Sequence, residues 1–366
     1  MEQAGETERV EPIAGLRLLS GSPLPGVSEP FPWLDGLFLD APRKPLRVVH
    51  VDELENLLDD ALVEEEPDAD EFLDEELEEE AEVVVAPAPA SQPAPAASVD
   101  PLANLVLDAL RGKPAAAPRP EVHRIFGRFW YDFLPQPGAA RSAAEAAFVL
   151  QLCGLSQGAR LLDAGCGAGR HSLEFARRGV DTAGVDLSEA LLEIARERAA
   201  AAALPATFLQ ADLRTLGFAS TFQAAVMLDS TLGLHEDGET VEILRRLSAS
   251  LVPGGTLVLE VLNRDFVLGS MPARKWLETS RAVILDDVSF HPEASRLRVK
   301  RSVAPHGGKA VDFTYSLRLY ALHELRVLLA LAGFEVMEVA GSIHQRGAYL
   351  GSRDRAIWVL ARKRAS

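Results

Sequence analysis

The chain has 366 residues, 48% of them apolar, which predicts one large domain with extra segments and a sizeable core. The net charge of −17 has one source: residues 52–82 hold 18 acidic side chains and no Lys or Arg, so the rest of the chain sums to +1. Residues 121–366 carry 29 basic and 27 acidic side chains, which argues against a nucleic-acid-binding domain, because such domains need a basic surface.

Neither secretion nor membrane insertion is predicted. The first residues lack a basic segment followed by an apolar stretch, and no apolar run reaches the roughly 18 residues that a membrane-spanning helix needs. Cys153 and Cys166 are the two cysteines, and they form neither a disulfide framework nor a CxxC metal pair. We therefore expect a cytoplasmic protein without membrane contact and without a bound metal.

Residues 1–120 form a separate extension by composition. The acidic run is followed by tracts rich in Pro and Ala around 87–95 and 114–120, and such low complexity predicts a mostly disordered segment. The extension is either a solvated tail or an arm that binds a protein partner, with 31–39 or 102–110 as the docking piece.

From residue 121 helical and strand patterns alternate, which predicts an α/β domain over residues 121–366 with a parallel sheet. Apolar periodicity predicts helices at Arg141–Leu152, Arg170–Arg178, a segment capped by Ser188, and Glu239–Leu251. Short apolar runs predict strands at Ala159–Ala164, Asp181–Val185, Thr207–Gln210, Gln223–Leu228 and Thr256–Leu262, the last preceded by Pro253-Gly254-Gly255.

After the fifth strand the pattern changes to an antiparallel insertion over residues 281–319. Its predicted strands are Val283–Leu285, Arg296–Val303 and Val311–Leu319, with turns at Asp286-Asp287 and His306-Gly307-Gly308. A helix at His323–Ala332 and strands at Phe334–Ala340 and Ala356–Ala361 complete about seven core strands. The insertion covers a pocket or forms a dimer face, and the oligomeric state stays open.

The loop after the first strand is the most informative segment. It reads GxGxG over 165–169, and Arg170 stands where the dinucleotide fingerprint requires its last glycine. Asp163 precedes the glycines, where a carboxylate suits an ammonium group and repels a pyrophosphate. Asp186 ends the second strand, where an acid accepts hydrogen bonds from ribose hydroxyls. Asp212 ends the third strand, within reach of an adenine amino group.

Residues 159–262 resemble the core of the class I S-adenosylmethionine-dependent methyltransferases. The resemblance is carried by LLDAGCGAGRHS at 161–172, GVDLS at 184–188, QADL at 210–213 and LVPGGTLVLEV at 251–261. It implies an α/β, Rossmann-like, seven-stranded and mostly parallel sheet in the order 3-2-1-4-5-7-6, with the antiparallel insertion after strand 5. It also implies that S-adenosylmethionine is the cofactor.

The resemblance further implies which residues contact the methyl donor. Those for the amino-acid part are Asp163, Gly165, Cys166 and Gly167. Those for the ribose and adenine are Asp186, Leu187, Asp212 and Leu213. Leu228 and Asp229, after the fourth strand, are expected beneath the sulfonium.

The sequence defines the residues that bind the methyl acceptor less clearly than those that bind the donor. Met227-Leu-Asp-Ser230 lacks the Asn/Asp-Pro-Pro-aromatic tetrad of enzymes that methylate nucleic-acid bases, which argues against that activity.

Tyr131 belongs to an aromatic entrance segment, 126–131, that is either a lid or a packing element. His235 is a candidate general base, since its ordinary pKa lies near neutrality. Catalytic roles are thus assigned to Tyr131, Asp229 and His235, and substrate contacts to Asn263, Arg318 and Tyr320.

A small organic acceptor is the leading interpretation, because the insertion looks like a cover over an enclosed pocket. The alternatives are a protein or RNA methyltransferase recruited by residues 1–120, and a non-catalytic scaffold that binds the donor. A nicotinamide-dependent oxidoreductase is disfavoured by Asp163 and Arg170.

Overall fold

The computed structural model describes residues 126–271 and 274–364. The predictions for 1–120 lie outside these residues. The helices are α1 (Arg128–Phe133), α2 (Ala139–Cys153), α3 (Arg170–Arg177), α4 (Glu189–Ala201), α5 (Asp237–Ser250), α6 (Arg264–Ser270) and α7 (Leu322–Leu331). The strands are β1 (Arg160–Ala164), β2 (Asp181–Asp186), β3 (Ala206–Gln210), β4 (Phe222–Met227), β5 (Leu251–Leu262), β6 (Arg274–Glu278), β7 (Ala282–His291), β8 (Arg296–Pro305), β9 (Val311–Arg318), β10 (Phe334–Ala340) and β11 (Ala356–Lys363).

A seven-stranded sheet forms the centre, in the order β3-β2-β1-β4-β5-β11-β10. The pairs among β1 to β5 are parallel, whereas β11 runs antiparallel to both β5 and β10. With the core strands numbered alone, this is the order 3-2-1-4-5-7-6, so the predicted sheet is confirmed. The carboxyl ends of β1, β2, β4 and β5 therefore meet at one edge, where α/β sheets bind their ligands.

Successive residues of a strand point to opposite faces of the sheet, and helices cover both faces. Leu161 packs with α2 and with Phe175 of α3, whereas its neighbour Leu162 packs with α5 and α7. Both leucines are fully buried. Continuous apolar runs such as these are what a strand needs when helices cover it on both faces.

The insertion after β5 is a second, four-stranded antiparallel sheet of β6, β7, β8 and β9. It is longer than predicted, since β6 begins at Arg274. Its inner face shares a core with α2 and α1, through residues such as Ile284 and Val299. This sheet is called the insertion sheet below.

The turn predicted at Asp286-Asp287 is wrong. Both residues lie inside β7, and the chain reverses only after His291. Asp286 points inward and accepts hydrogen bonds of 2.6 and 2.7 Å from Nε and Nη2 of Arg301. Arg301 is fully buried and stacks over the ring of Trp130 at 5.1 Å. Asp286 can lie buried inside a strand because Arg301, 15 residues away, pairs with its carboxylate. The sequence near Asp286 does not indicate this partner.

Two smaller boundaries also differ from the predictions. Pro253-Gly254-Gly255 lies within β5, which begins at Leu251 rather than at Thr256. The polar segment after β5 begins helix α6, because the Asn263 side chain accepts a hydrogen bond of 3.1 Å from the backbone N–H of Asp265. Within the part of the chain that the structure describes, no helix has the length and apolar character needed to cross a membrane.

Candidate active site

A cavity of about 390 Å³ lies at the carboxyl edge of the central sheet. The glycine loop after β1, the end of β2, the loop after β4 and the entrance helix α1 form its walls. Of the residues singled out from the sequence, it is lined by Tyr131, Gly165, Cys166, Gly167, Asp186, Leu187, Leu213, Asp229 and His235. Residues that are far apart in the sequence therefore line the same cavity.

The glycine loop requires glycine at its first position. Gly165 has a φ of +82°, and a Cβ there would lie 2.5 Å from Cγ2 of Thr231. The backbone N–H groups of Gly165 and Cys166 donate to the Val185 carbonyl at 2.7 and 3.1 Å. The loop is thus held between β2 and the loop after β4, and its backbone faces the cavity.

Asp186 lies beside that loop on the cavity wall. One carboxylate oxygen accepts a hydrogen bond of 2.9 Å from the Gly167 N–H, and the other accepts one of 2.8 Å from the Ser188 N–H. Each oxygen of an ionised carboxylate has a second lone pair. Asp186 can therefore hold the loop in place and still accept hydrogen bonds from a ligand.

Asp163 lies behind the glycine loop rather than in the cavity. It is 2% exposed, and its carboxylate accepts a hydrogen bond of 2.5 Å from the Ser172 hydroxyl. Burial raises the pKa of Asp163, against the lowering effects of His171 and Ser172. Asp163 is thus buried beside Ser172 and does not line the cavity.

Cys166 lines the cavity as a neutral thiol. Burial, together with the charges of Asp163 and Asp186, raises its pKa well above the usual value. A thiolate is the nucleophilic form of cysteine, so this side chain is unreactive at neutral pH.

Asp212 and Leu228 also lie outside the cavity lining. Burial raises the pKa of Asp212, but hydrogen bonds from Arg214 outweigh it and lower the pKa below its usual value. The Arg214 side chain and its backbone N–H, at 2.8 Å, both donate to this carboxylate. Leu228 is buried in the core between α2 and the sheet. The neighbours Leu213 and Asp229 face the cavity instead.

Arg170 is a site residue whose role the sequence analysis missed. Its guanidinium donates from Nε and Nη2 to the two oxygens of Asp229, at 2.9 and 2.5 Å. Nη1 donates to Glu145 at 2.5 Å. Arg170 therefore links the glycine loop to the loop after β4 and to α2. Its only sequence signal was a basic residue directly after the GxGxG run.

Glu145 connects Arg170 to Arg141 and His171. Its second oxygen accepts a hydrogen bond of 2.9 Å from Arg141, and the oxygen bound to Arg170 also contacts His171 at 2.9 Å. Burial alone would raise the pKa of Glu145, but the His171 hydrogen bond and the charges of Arg170 and Arg141 bring it far below its usual range. Glu145 is thus ionised, and the chain Arg141–Glu145–Arg170–Asp229 is fixed by charge.

The loop after β4 has an unusual backbone. Asp229 and Ser230 have φ values of +53° and +54°, in the left-handed region that residues other than glycine seldom adopt. The Ser230 hydroxyl accepts a hydrogen bond of 2.8 Å from the Leu262 N–H, which ties the loop to the end of β5. This conformation places Asp229 and, a turn later, His235 along the cavity wall. Strained backbone of this kind is often found at functional sites.

One side of the cavity is aromatic. Phe126, Trp130 and Tyr131 line it, and Tyr315 of the insertion sheet packs against Phe126 and Trp130 with ring centroids 5.8 Å apart in each pair. The entrance segment therefore both lines the cavity and packs against the insertion sheet.

The structure does not bring Asn263, Arg318 or Tyr320 to this cavity. The Asn263 amide donates to the carbonyls of Gly351 and Asp354 at 2.8 and 2.7 Å, which explains its complete burial. Arg318 and Tyr320 line a different cavity of about 270 Å³. Sequence spacing could not show this, because all three lie near the ends of strands and only packing separates their side chains. No group of three or more His, Cys, Asp or Glu among the described residues could hold a metal ion.

Comparison with known proteins agrees with the sheet order. Residues 161–255 match the family described as "Methyltransferase domain". The chain is 30% identical to dTDP-3-amino-3,4,6-trideoxy-alpha-D-glucopyranose N,N-dimethyltransferase of Streptomyces venezuelae, over 57% of this chain and 90% of that protein. It is 29% identical to dTDP-4-amino-2,3,4,6-tetradeoxy-D-glucose N,N-dimethyltransferase of Saccharopolyspora spinosa, over 64% of this chain and 90% of that one.

Among solved structures, the CcbJ methyltransferase of Streptomyces caelestis superposes with a TM-score of 0.57 at 25% identity, covering 67% of this chain and 97% of that one. The strand order, the glycine loop with Asp186 and the extent of these matches lead to the same conclusion. The chain belongs to the class I S-adenosylmethionine-dependent methyltransferases, whose methyl donor is S-adenosylmethionine.

Proposed function

We propose that this protein transfers a methyl group from S-adenosylmethionine to the amine of a small organic molecule. The observation that carries the proposal is one cavity of about 390 Å³ that joins the glycine loop and Asp186 at one side to Tyr131, Trp130 and His235 at the other. Two similar proteins are named for N-methylation of amino sugars, which supports a small amine as the acceptor.

The residues present fit the donor. Bare backbone at Gly165 and Gly167 leaves room for the amino-acid part, and Asp186 offers lone pairs to the ribose hydroxyls. Leu187 and Leu213 offer apolar surface on the cavity wall for the adenine ring. When bound, the donor supplies a methyl group already activated by its sulfonium, so positioning of the acceptor provides much of the catalysis.

The acceptor is held and deprotonated by side chains of this chain. The aromatic wall of Phe126, Trp130 and Tyr131 suits an apolar or cationic acceptor body. His235 lies on the same cavity wall and takes the proton that the acceptor nitrogen loses. Asp229, held by two hydrogen bonds from Arg170, places its carboxylate next to the reacting amine.

The proposal is tested by titration calorimetry followed by an acceptor screen. We expect S-adenosylhomocysteine to bind saturably and NAD and NADP to give no heat. A panel of small amines incubated with methyl-labelled donor should then yield a labelled N-methyl product, and replacing His235 by Gln should lower its rate without changing the affinity for S-adenosylhomocysteine. Donor binding without transfer to any amine, alongside transfer to a protein or RNA fraction, would contradict a small acceptor.

Residues 1–115 are expected to be dispensable for donor binding. The family match covers residues 161–255, and the acidic, Pro- and Ala-rich composition of residues 1–120 lies before it, so a chain lacking residues 1–115 should bind S-adenosylhomocysteine with the affinity of the full chain. The two proteins are compared in the same titration. A lost or much weaker affinity in the shortened chain would show that the extension contributes to the donor site.

A further inference from the structure

The loop after β4 leaves the central sheet and lies against the insertion sheet. It starts at Asp229, continues through the 3-10 turn Thr231–Leu234 and reaches His235 just before α5. A Cβ at Gly233 would lie 2.6 Å from the Arg318 carbonyl oxygen of β9, so the loop backbone packs directly on that strand. The position of His235 therefore depends on the insertion sheet as well as on β4.

Arg296, the first residue of β8, contacts the backbone of His235. Its Nη1 donates a hydrogen bond of 3.0 Å to the His235 carbonyl, and the same nitrogen lies 3.6 Å from a carboxylate oxygen of Glu236. Its Nε donates to the Ser316 hydroxyl at 2.8 Å, which fixes the direction of the guanidinium. The Arg296 side chain is 12% exposed, so water competes little for this charge-assisted hydrogen bond.

Arg318 contacts the residue that follows Glu236. It lies beside Arg296 in the register of β8 and β9, and its Nε donates to the Asp237 carboxylate at 3.1 Å. Its Nη2 donates to Glu324 of α7 at 2.7 Å. Neighbouring arginines at one end of the insertion sheet therefore hold the consecutive residues 235–237.

The backbone of His235 is held at both of its polar groups. Its N–H donates to the Leu232 carbonyl at 3.3 Å, at the end of the 3-10 turn, and its carbonyl accepts from Arg296. The residue is buried and lines the donor cavity. Because only χ1 and χ2 separate an imidazole ring from its backbone, a fixed backbone limits where the ring can lie.

We propose that Arg296 is a positioning residue for His235, which it holds from the insertion sheet. This role rests on the proposed function, in which His235 takes the proton of the acceptor. A base acts only within hydrogen-bond reach of the proton it removes. A displacement of about 1 Å can cost about a hundredfold in rate. Arg296 does not line the donor cavity, so its effect on the rate passes through His235.

The position of His235 is tested by NMR without any acceptor. In the full chain labelled with ¹³C-histidine, the His235 ring signal is assigned by its absence in His235→Gln. Arg296→Met should shift this signal, whereas the signals of His171 and His344, which lie on other elements, should stay in place. Arg298→Met is the matched control, because Arg298 is exposed two residues further along the same strand, and it should shift none of the three signals.

An unshifted His235 signal in Arg296→Met would overturn the proposal. Arg296→Lys keeps the cation but offers one compact donor group, so it should shift the His235 signal less than Arg296→Met does. It also provides the measurement if Arg296→Met does not fold. An unshifted signal in a folded Arg296→Lys would then overturn the proposal in the same way.

The rate of methyl transfer is measured with the amine found in the acceptor screen. Arg296→Met should lower kcat about tenfold or more, with the KM for S-adenosylmethionine and the affinity for S-adenosylhomocysteine unchanged. Arg298→Met should keep the wild-type kcat. In the His235→Gln background, adding Arg296→Met should lower the rate by less than about twofold, because no base remains to be positioned. Equal fold losses in both backgrounds would show a merely structural role and overturn the proposal.

The same rates distinguish a failure of this role from a failure of the proposed function. A wild-type rate in His235→Gln would overturn His235 as the base, and with it the catalytic effect of Arg296. A slow His235→Gln beside a wild-type rate in Arg296→Met would overturn only the role of Arg296.

Discussion

Replacing Arg170 by Met is expected to lower the free energy of unfolding by about 3 kcal/mol, near the lower end of the range for removing one partner of a buried ion pair. Arg170 is 14% exposed and holds Asp229, which is 25% exposed, and Glu145, which is 3% exposed. The substitution leaves both carboxylates without their shared cation, although Glu145 keeps Arg141. Chemical denaturation of the two proteins at neutral pH measures the difference.

Arg177→Met is the matched control for this effect. Arg177 belongs to the same helix and pairs with Glu174, but its side chain is 47% exposed, so its loss should cost less than about 1 kcal/mol. In the double variant Arg170→Met, Asp229→Asn, the carboxylate that would lose its partner is replaced by an amide. The double variant should therefore regain part of the free energy of unfolding lost in Arg170→Met. Equal stability of Arg170→Met and Arg177→Met would show that the ion-pair chain does not support the fold.

The ion-pair chain Arg141–Glu145–Arg170–Asp229 predicts that the free energy of unfolding depends on pH. Because the pKa of Glu145 is lowered in the folded protein, its stabilising contribution is complete above the ordinary value of 4.5 and is lost as the pH falls toward the folded pKa. Arg170→Met removes one of the charges that lower this pKa. The loss of stability on acidification from about pH 7 to about pH 3 should therefore be smaller in the variant than in the wild type.

Replacing Asp186 by Ala should weaken binding of S-adenosylhomocysteine by roughly 1–3 kcal/mol, the range for leaving charge-assisted hydrogen bonds unmade. Two effects combine here. The ligand loses an acceptor for its ribose hydroxyls, and the Gly167 N–H loses the carboxylate that holds the loop at 2.9 Å. Titration calorimetry measures the change directly.

Two further variants separate the ribose contact from the fold. Asp186→Asn keeps the shape and one acceptor oxygen, so its affinity should lie between those of wild type and Asp186→Ala. Asp181→Ala lies at the opposite end of the same strand, where Asp181 contacts Arg160 at 4.0 Å near the surface, and should bind the ligand normally. An unchanged dissociation constant in Asp186→Ala would refute the assignment of this residue to the ribose.

Local chemistry made several parts of the molecule predictable. The GxGxG run after β1 predicts a sharp turn because glycine tolerates left-handed backbone, and Gly165 has such a φ. The spacing of Asp186 from that loop follows from the length of one strand–helix–strand unit. The order of the seven strands follows from the same repeated unit together with the resemblance to a known family. The bounds of β10, Phe334–Ala340, agree with the prediction.

Other features depend on contacts between residues far apart in sequence. Nothing near Asp286 in the sequence indicates Arg301 as its partner, so the acidic pair resembled a turn. Asp163 and Asp186 each end a strand in the sequence, yet only Asp186 lines the cavity, whereas Asp163 is buried and bonded to Ser172.

The sequence by itself determined the α/β pattern, the glycine loop and the family, since these follow from the periodicity and steric needs of short segments. Only the tertiary structure decided that Arg170 links Asp229 to Glu145, that Asn263 and Arg318 point away from the donor cavity, and that Arg296 contacts the backbone of His235. A side chain's role at a site depends on which distant groups desolvate it or neutralise its charge, and folding alone brings those groups together.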